Sequence, residues 1–172
     1  MNTSVARFDT PDSVADWYAI DDAVMGGVSA SQMTYDADGH AVFSGAVSLA
    51  NNGGFASVRS PVTTPVGDGA SAYLLSVRGD GKRYKFSVRT GPDFDGVAYQ
   101  AGFQPPSGEW TLVRLALADF VPTWRGRVLA NAPTLLPSRI QQLGLLIADR
   151  QAGTFRLEIR TIESTEANAL AT

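Results

Sequence analysis

The chain has 172 residues, 44% of them hydrophobic, with 14 Lys and Arg against 17 Asp and Glu for a net charge of −3. A chain of that size buries roughly two thirds of its unfolded surface, which excludes wholesale disorder, and its acidic balance excludes a general pull toward nucleic acid or anionic membrane. Cysteine is absent, so disulfides, thiolate nucleophiles and cysteine-bound zinc are excluded too.

The first stretch, "MNTSVARFDTPDSVADW", has a single Arg, several acids and no long apolar run. It reads as neither a secretory signal nor a transit peptide. No segment approaches the roughly 18 apolar residues of a membrane span. The expectation is a cytoplasmic protein without a membrane span, a single domain over residues 1–172 with its core at about 5–162 and a polar tail, 163–172, that frays. Its 17 glycines and 9 prolines cut the chain into short alternating runs, the pattern of an all-β sandwich or barrel. Helical turns are expected only in "PDSVADW" and in "LALADF" around Ala116.

In chain order, "DDAVMGGVSASQM" from Asp21 to Met33 comes next. The acids and the glycine pair predict a tight turn into a strand, with Asp22 accepting from turn amides and Gly26 and Gly27 letting the backbone bend. The alternative is a calcium site at Asp21 and Asp22, a pair that supplies too few of the six to eight oxygens calcium takes, with further ligands from distant loops such as Asp93 and Asp95 of "GPDFDG". Strands follow at "MTYD" and "AVFSGAVSL", with His40 at the end of an exposed turn between them. In "NNGGFASVRS", Asn51 to Gly54 predicts a hairpin or bulged loop and Phe55 reads as core. Arg59 shares Phe55's face by even spacing, so either the strand ends before it or it meets a carboxylate such as Asp22, or a bound anion.

"AYLLSVRGDGKRYKFSVRT" places Asp80-Gly81 between two alternating runs, which predicts a two-residue type I′ hairpin. That register sets Val77 opposite Tyr84, Leu75 opposite Phe86 and Tyr73 opposite Val88 on one apolar face. The other face gathers Arg78, Arg83, Lys85 and Arg89, an unfavourable opposition unless acids or a ligand intervene. Glu158, between Arg156 and Arg160, is the expected neutraliser, and the remaining cationic excess suggests an anionic partner. The plainer reading is a solvated face whose long stems cover apolar surface.

Further strands are expected at "VAYQAGFQ", "TLVRLAL", "LGLLIA" and "TFRLEIRTI", the wholly apolar "LGLLIA" being central. Nine or more strands in one domain predict an all-β, jelly-roll-like sandwich. Trp110 reads as a core anchor, whereas Trp124 in "VPTWRGR" is the aromatic freest to stack on a ligand. With one histidine, no G-x-S-x-G and no phosphate-binding loop, no enzyme, catalytic residue, cofactor or metal site is expected.

Trp17 with "DDAVMGGVSAS", then "FSGAVSLANNGGFASVRS", "VRGDGKRYKFSVR", "YQAGFQPPSGEWTLVRLALADFVPTWRGR" and "IQQLGLLIADRQAGTFRLEIRTI" together resemble the complex I intermediate-associated protein 30 family. The resemblance implies a galactose-binding-domain-like β-sandwich, similar in shape to many carbohydrate-binding modules, and an assembly-factor role toward a protein partner such as a respiratory complex. The first functional reading is therefore a non-enzymatic protein-interaction module. The second is a carbohydrate- or small-ligand-binding sandwich taking a glycan or an anionic small ligand. The candidate surface comprises Asp22, Arg59, Arg78, Arg83, Lys85, Arg89, Gln100 and Trp124.

Overall fold

Alternating apolar and polar side chains favour strands wherever one side can be buried. The protein, described by a computed structural model over residues 2–21, 27–91, 96–124 and 127–166 (Asn52 by its backbone alone), forms two antiparallel sheets. The six-stranded sheet contains β1 (Asn2–Arg7), β3 (Ala30–Asp36), β4 (His40–Val47), β6 (Ala70–Arg78), β9 (Trp110–Ala116) and β13 (Gly153–Glu166). Its order is β3-β4-β13-β6-β9, with β1 also paired to β13. The seven-stranded sheet contains β2 (Tyr18–Ala19), β5 (Ala56–Pro61), β7 (Tyr84–Arg89), β8 (Ala98–Phe103), β10 (Val121–Trp124), β11 (Arg127–Val128) and β12 (Gln142–Ile147). Its order is β11-β10-β8-β7-β12-β5-β2. Both expected helical turns are short 3-10 turns, Pro11–Val14 and Leu117–Asp119. The fold is the jelly-roll-like β-sandwich that the alternation predicts.

The dry layer lies between the sheets. Phe43, Tyr73, Leu75, Phe155, Leu157 and Ile159 come from the six-stranded side, and Tyr84, Phe86, Val88, Leu145 and Ile147 from the other. All are essentially excluded from water, and at about 25 cal/mol per Å² of apolar surface this layer is the main source of stability.

The predicted hairpin does not form: β6 pairs with β13 and β9, and β7 pairs with β12 and β8. Tyr73, Leu75, Val77, Tyr84, Phe86 and Val88 all face inward, as the alternation requires, but they meet across the sandwich. The rings of Tyr73 and Phe86 lie 5.1 Å apart. Alternation reports which side of a strand is buried, and a neighbour in the sheet and a strand facing it satisfy that pattern equally well. Asp80-Gly81 is therefore a crossing between sheets. Gly81 has φ +88°, and a Cβ on Gly79 would lie 2.6 Å from Pro105. The Asp80 carboxylate accepts from the Lys82 amide (3.1 Å), the Tyr84 hydroxyl (3.0 Å) and the Arg156 amide (2.8 Å). One side chain thus ties the crossing to β7 and β13.

The segment Asn51 to Gly54 is also a crossing, from β4 to β5, through a 3-10 turn in which Asn51 takes φ 56°. Phe55 is half-buried and outside the core, because Ala56 and Val58 supply the inward positions of β5. The apolar β12 is central, between β7 and β5. A register shift between Ile159 and Thr161 moves the inward set of β13 from Phe155, Leu157 and Ile159 to Ile162 and Ser164. The strand continues through Glu166, so residues 163–166 do not fray as a tail. They are held by β1, with Asn2 opposite Thr165, a pairing that the composition of either segment leaves invisible.

Removing the Asp80 carboxylate leaves the buried Tyr84 hydroxyl and two amides short of an acceptor. We expect Asp80→Ala to lower the unfolding free energy by about 2–3 kcal/mol and Tyr84→Phe by about 1 kcal/mol. Urea unfolding measures both, and equal small losses would refute the role given to Asp80.

Candidate functional site

With both inward faces consumed by the core, recognition is left to the outward faces and the edges. On the seven-stranded sheet, the residues that alternate along each strand with the inward ones define an outward row: Tyr18, Arg59, Gly144, Ser87, Gln100 and Val121, each directly opposite the next. A parallel row runs through Gln142, Arg89, Ala98, Thr123 and Val128. The floor between the rows is small and close. A Cβ on Gly144 would lie 2.6 Å from Ser87 Oγ and 3.6 Å from Arg59 Cγ, so the glycine makes room for the Arg59 stem to cross β12.

Arg59 is only 9% exposed, so its expected burial is correct but its side is not. Phe55 is not in the core, and Arg59 shares the outward direction with Ser57, which is also buried. The structure brings Arg59, Lys85, Arg89 and Gln100 onto this single face. Lys85 Nζ and Arg83 Nε reach Asp149 at 3.7 Å and 3.8 Å, which places Arg83 at the rim. Arg89 donates to the Gly96 carbonyl, and Gln142 Nε2 donates to the Gly91 carbonyl at 2.9 Å. Trp124 ends β10 beside Arg127 of the edge strand β11, in a short ribbon, and is 40% exposed.

Arg78 does not join them. Its strand belongs to the six-stranded sheet, where it faces out between Glu158 and Trp110. Arg78 donates twice to Glu158, once through Nε and once through Nη2 at 2.9 Å, and Arg156 Nη2 donates to the same carboxylate at 3.0 Å. The basic face inferred from the hairpin is thus split between two opposite surfaces. Glu158 neutralises Arg78 as expected, while Asp149 serves Arg83 and Lys85.

Two further expectations are corrected at this cluster. His40 is 2% exposed, with Nε2 3.1 Å from Glu158 Oε1 and its ring edge-on to Trp110 at 5.3 Å. It sits at the start of β4, not at an exposed turn, because β13 and β9 close over it. Trp110 is not a core anchor. Its strand partner is Arg78, so it points outward, with the Arg160 guanidinium 3.8 Å and that of Arg78 5.0 Å from its ring centre. Such cation–π contacts give an outward Trp a partner without a core. A polar-looking run around His40 and a strand-opening Trp carry no local signal of this arrangement; the pairing of β13 with β4 and β6 creates it.

Asp22, Asp93, Asp95, Gly26 and Arg125 lie outside the described residues. Asp21 performs the amide-binding task expected of Asp22: it accepts from the Ser31 amide (3.0 Å), the Ser31 hydroxyl (2.6 Å) and the Ser57 amide (3.0 Å). It thereby joins the start of β3 to β5. Among the described residues, no three His, Asp or Glu side chains gather as a metal site, and no helix is long and apolar enough to cross a membrane.

Residues 6–159 match the sequence pattern described as complex I intermediate-associated protein 30. The chain belongs to that family. A curated family relative, the mitochondrial complex I intermediate-associated protein 30 of Neurospora crassa, is 26% identical over 94% of this chain and 72% of its own length. An uncharacterized protein of Schizosaccharomyces pombe is 29% identical over 89% of this chain and 79% of its own. Among solved structures, the family 11 carbohydrate-binding module of Clostridium thermocellum, in complex with a β-1,3-1,4-mixed-linked tetrasaccharide, superposes with TM-score 0.70 at 13% identity, covering 96% of each chain. A family 29 module complexed with mannohexaose gives TM-score 0.58 at 8% identity, over 95% of this chain and 90% of that one. At such identities the likeness is one of fold, and it places the family's sandwich beside these modules in shape.

Hydrogen bonds from Arg78, and then from Arg156, hold the Glu158 carboxyl down at about 2 from an ordinary 4.5, against the burial that would raise it. A folded-state pKa below the unfolded value contributes stability that is full above the unfolded pKa and is lost as pH falls through the folded one. Glu158→Gln should therefore be less stable than the parent by about 2 kcal/mol at neutral pH. The gap should narrow between pH 4.5 and about 2. Urea unfolding against pH checks this; a gap that stays constant across that window would contradict it.

Proposed function

We propose that this chain is a non-enzymatic docking module acting in the cytoplasm, assembly-factor-like, whose partner is a protein of a multisubunit complex. Its family membership supports the class of function, and one surface feature carries the reading. The edge ribbon β10–β11 exposes Val121, Trp124 and Val128, the last at 70%, beside the outward face that holds Arg89 and Gln100. An edge strand bearing large apolar side chains is a template for association unless a partner covers it, and Trp beside Arg is the composition of interface hot spots. The partner fits this ribbon with apolar side chains and the adjoining face with polar or acidic ones.

A second reading, glycan binding, is favoured by the row Tyr18, Arg59, Ser87 and Gln100. It runs across the sheet with an exposed tyrosine at one end and hydrogen-bonding groups along it. That is the donor, acceptor and aromatic mixture that orients polar ligands. The fold shared with carbohydrate-binding modules accommodates this reading without choosing it.

Affinity capture from the native host with mass spectrometry separates the two. The docking reading expects the subunits of one complex to be retained by the parent protein. Trp124→Ser with Val128→Asp should reduce their recovery about tenfold or more with an unchanged melting temperature. Undiminished recovery by that variant, or capture of glycan alone, would overturn it.

A further inference from the structure

A cleft of about 390 Å³ bordered by the described residues lies away from both surfaces discussed above. It opens where β1 of one sheet and β5 of the other part at the margin of the sandwich, under the 3-10 turn Pro11–Val14. Val5 and Leu143, both core residues, form its apolar base. Trp17 supplies an aromatic wall, packed at 5.8 Å against Phe8 and thereby fixed in orientation.

Polar groups line the same cleft. Ser60 is buried and lies on the inward side of β5 with Ala56 and Val58; its hydroxyl donates to the Pro61 carbonyl at 3.0 Å, which leaves its oxygen able to accept. The exposed Asp12 and Asp16, one in the 3-10 turn and one just after it, and the exposed Thr63 and Thr64 also line the cleft. Arg7 is the cation of the lining and is engaged with Asp9 at 3.5 Å. The cleft therefore offers carboxylate acceptors, hydroxyls that can donate or accept, a tryptophan wall and an acidic balance.

We propose that this cleft is a second binding site, for a single neutral pyranose unit. Tryptophan meets the C–H face of such a ring, carboxylates accept from vicinal hydroxyls, and serine and threonine hydroxyls complete the set. The volume falls within the range of small-ligand pockets, about 300–1,000 Å³, near its lower end, which suits one ring and not a chain. The two aspartates select against uronic acids and sugar phosphates through like-charge repulsion. This site is distinct from the outward row of the seven-stranded sheet and stands whether or not that row binds a glycan.

Saturation-transfer NMR with methyl β-glucopyranoside, methyl β-galactopyranoside and methyl α-mannopyranoside, with glucuronate as the anionic control, tests the proposal on the full chain. At least one neutral glycoside should receive saturation and perturb tryptophan fluorescence, while glucuronate should not. Ser60→Leu fills the base of the cleft and should weaken binding about tenfold, whereas Leu112→Ser on the exposed face of the six-stranded sheet should leave it unchanged. If Ser60→Leu fails to fold, the surface variant Asp12→Ala with Asp16→Ala decides, with the same expected loss. No transfer to any neutral glycoside, equal binding of glucuronate, undiminished binding by the cleft variants, or loss with Leu112→Ser would overturn the site.

Discussion

Everything in this protein depends on two apolar surfaces facing one another. Tyr73 and Leu75 on one sheet and Phe86 and Leu145 on the other can leave water only if the sheets stack, and they stack only if the chain repeatedly crosses between them. Two carboxylates hold such crossings. Asp80 gathers a hydroxyl and two amides between β6 and β7, and Asp21 binds the start of β3 to β5. Each replaces a backbone ladder where none can run, because successive strands there belong to different sheets. The acid-rich and glycine-rich stretches are thus joints of the sandwich before they are anything else.

The two outward faces solve their charge problem differently. On the six-stranded sheet one buried carboxylate, Glu158, takes hydrogen bonds from Arg78 and Arg156 and sits beside His40, while Trp110 lies against Arg78 and Arg160. The groups satisfy one another, and the surface is structural in character. On the seven-stranded sheet, Arg59, Arg89, Gln100 and Gln142 are spread along two rows over a floor opened by Gly144. At its margin the ribbon of Trp124 and Val128 leaves apolar surface in water. The contrast is why the partner is assigned to the second surface.

The outward row is partly legible in the sequence. Lys85, Arg89 and Gln100 follow from alternation alone, since their neighbours Phe86, Val88, Tyr99 and Ala101 are plainly inward. Arg59 stands out by its position, but its side is not legible, because Phe55 looks like a core residue and in the structure is not one. The surroundings of His40 and Trp110 are not legible, because β13 makes them and no spacing within their own segments refers to it. The cleft beneath Trp17 is assembled from β1, a 3-10 turn and the loop after β5, segments too far apart in the chain for local patterns to join.

By itself the sequence determined the class of fold, the inward residues of most strands and the family, since these rest on periodicity and on motifs that lie along the chain. Tertiary structure alone decided which strand pairs with which. It turned an apparent Asp-Gly hairpin into a crossing and divided one supposed basic face between two surfaces. The physical reason is that burial depends only on the side toward which a residue points. Pairing depends on where the other twelve strands lie, and no local stretch contains that information.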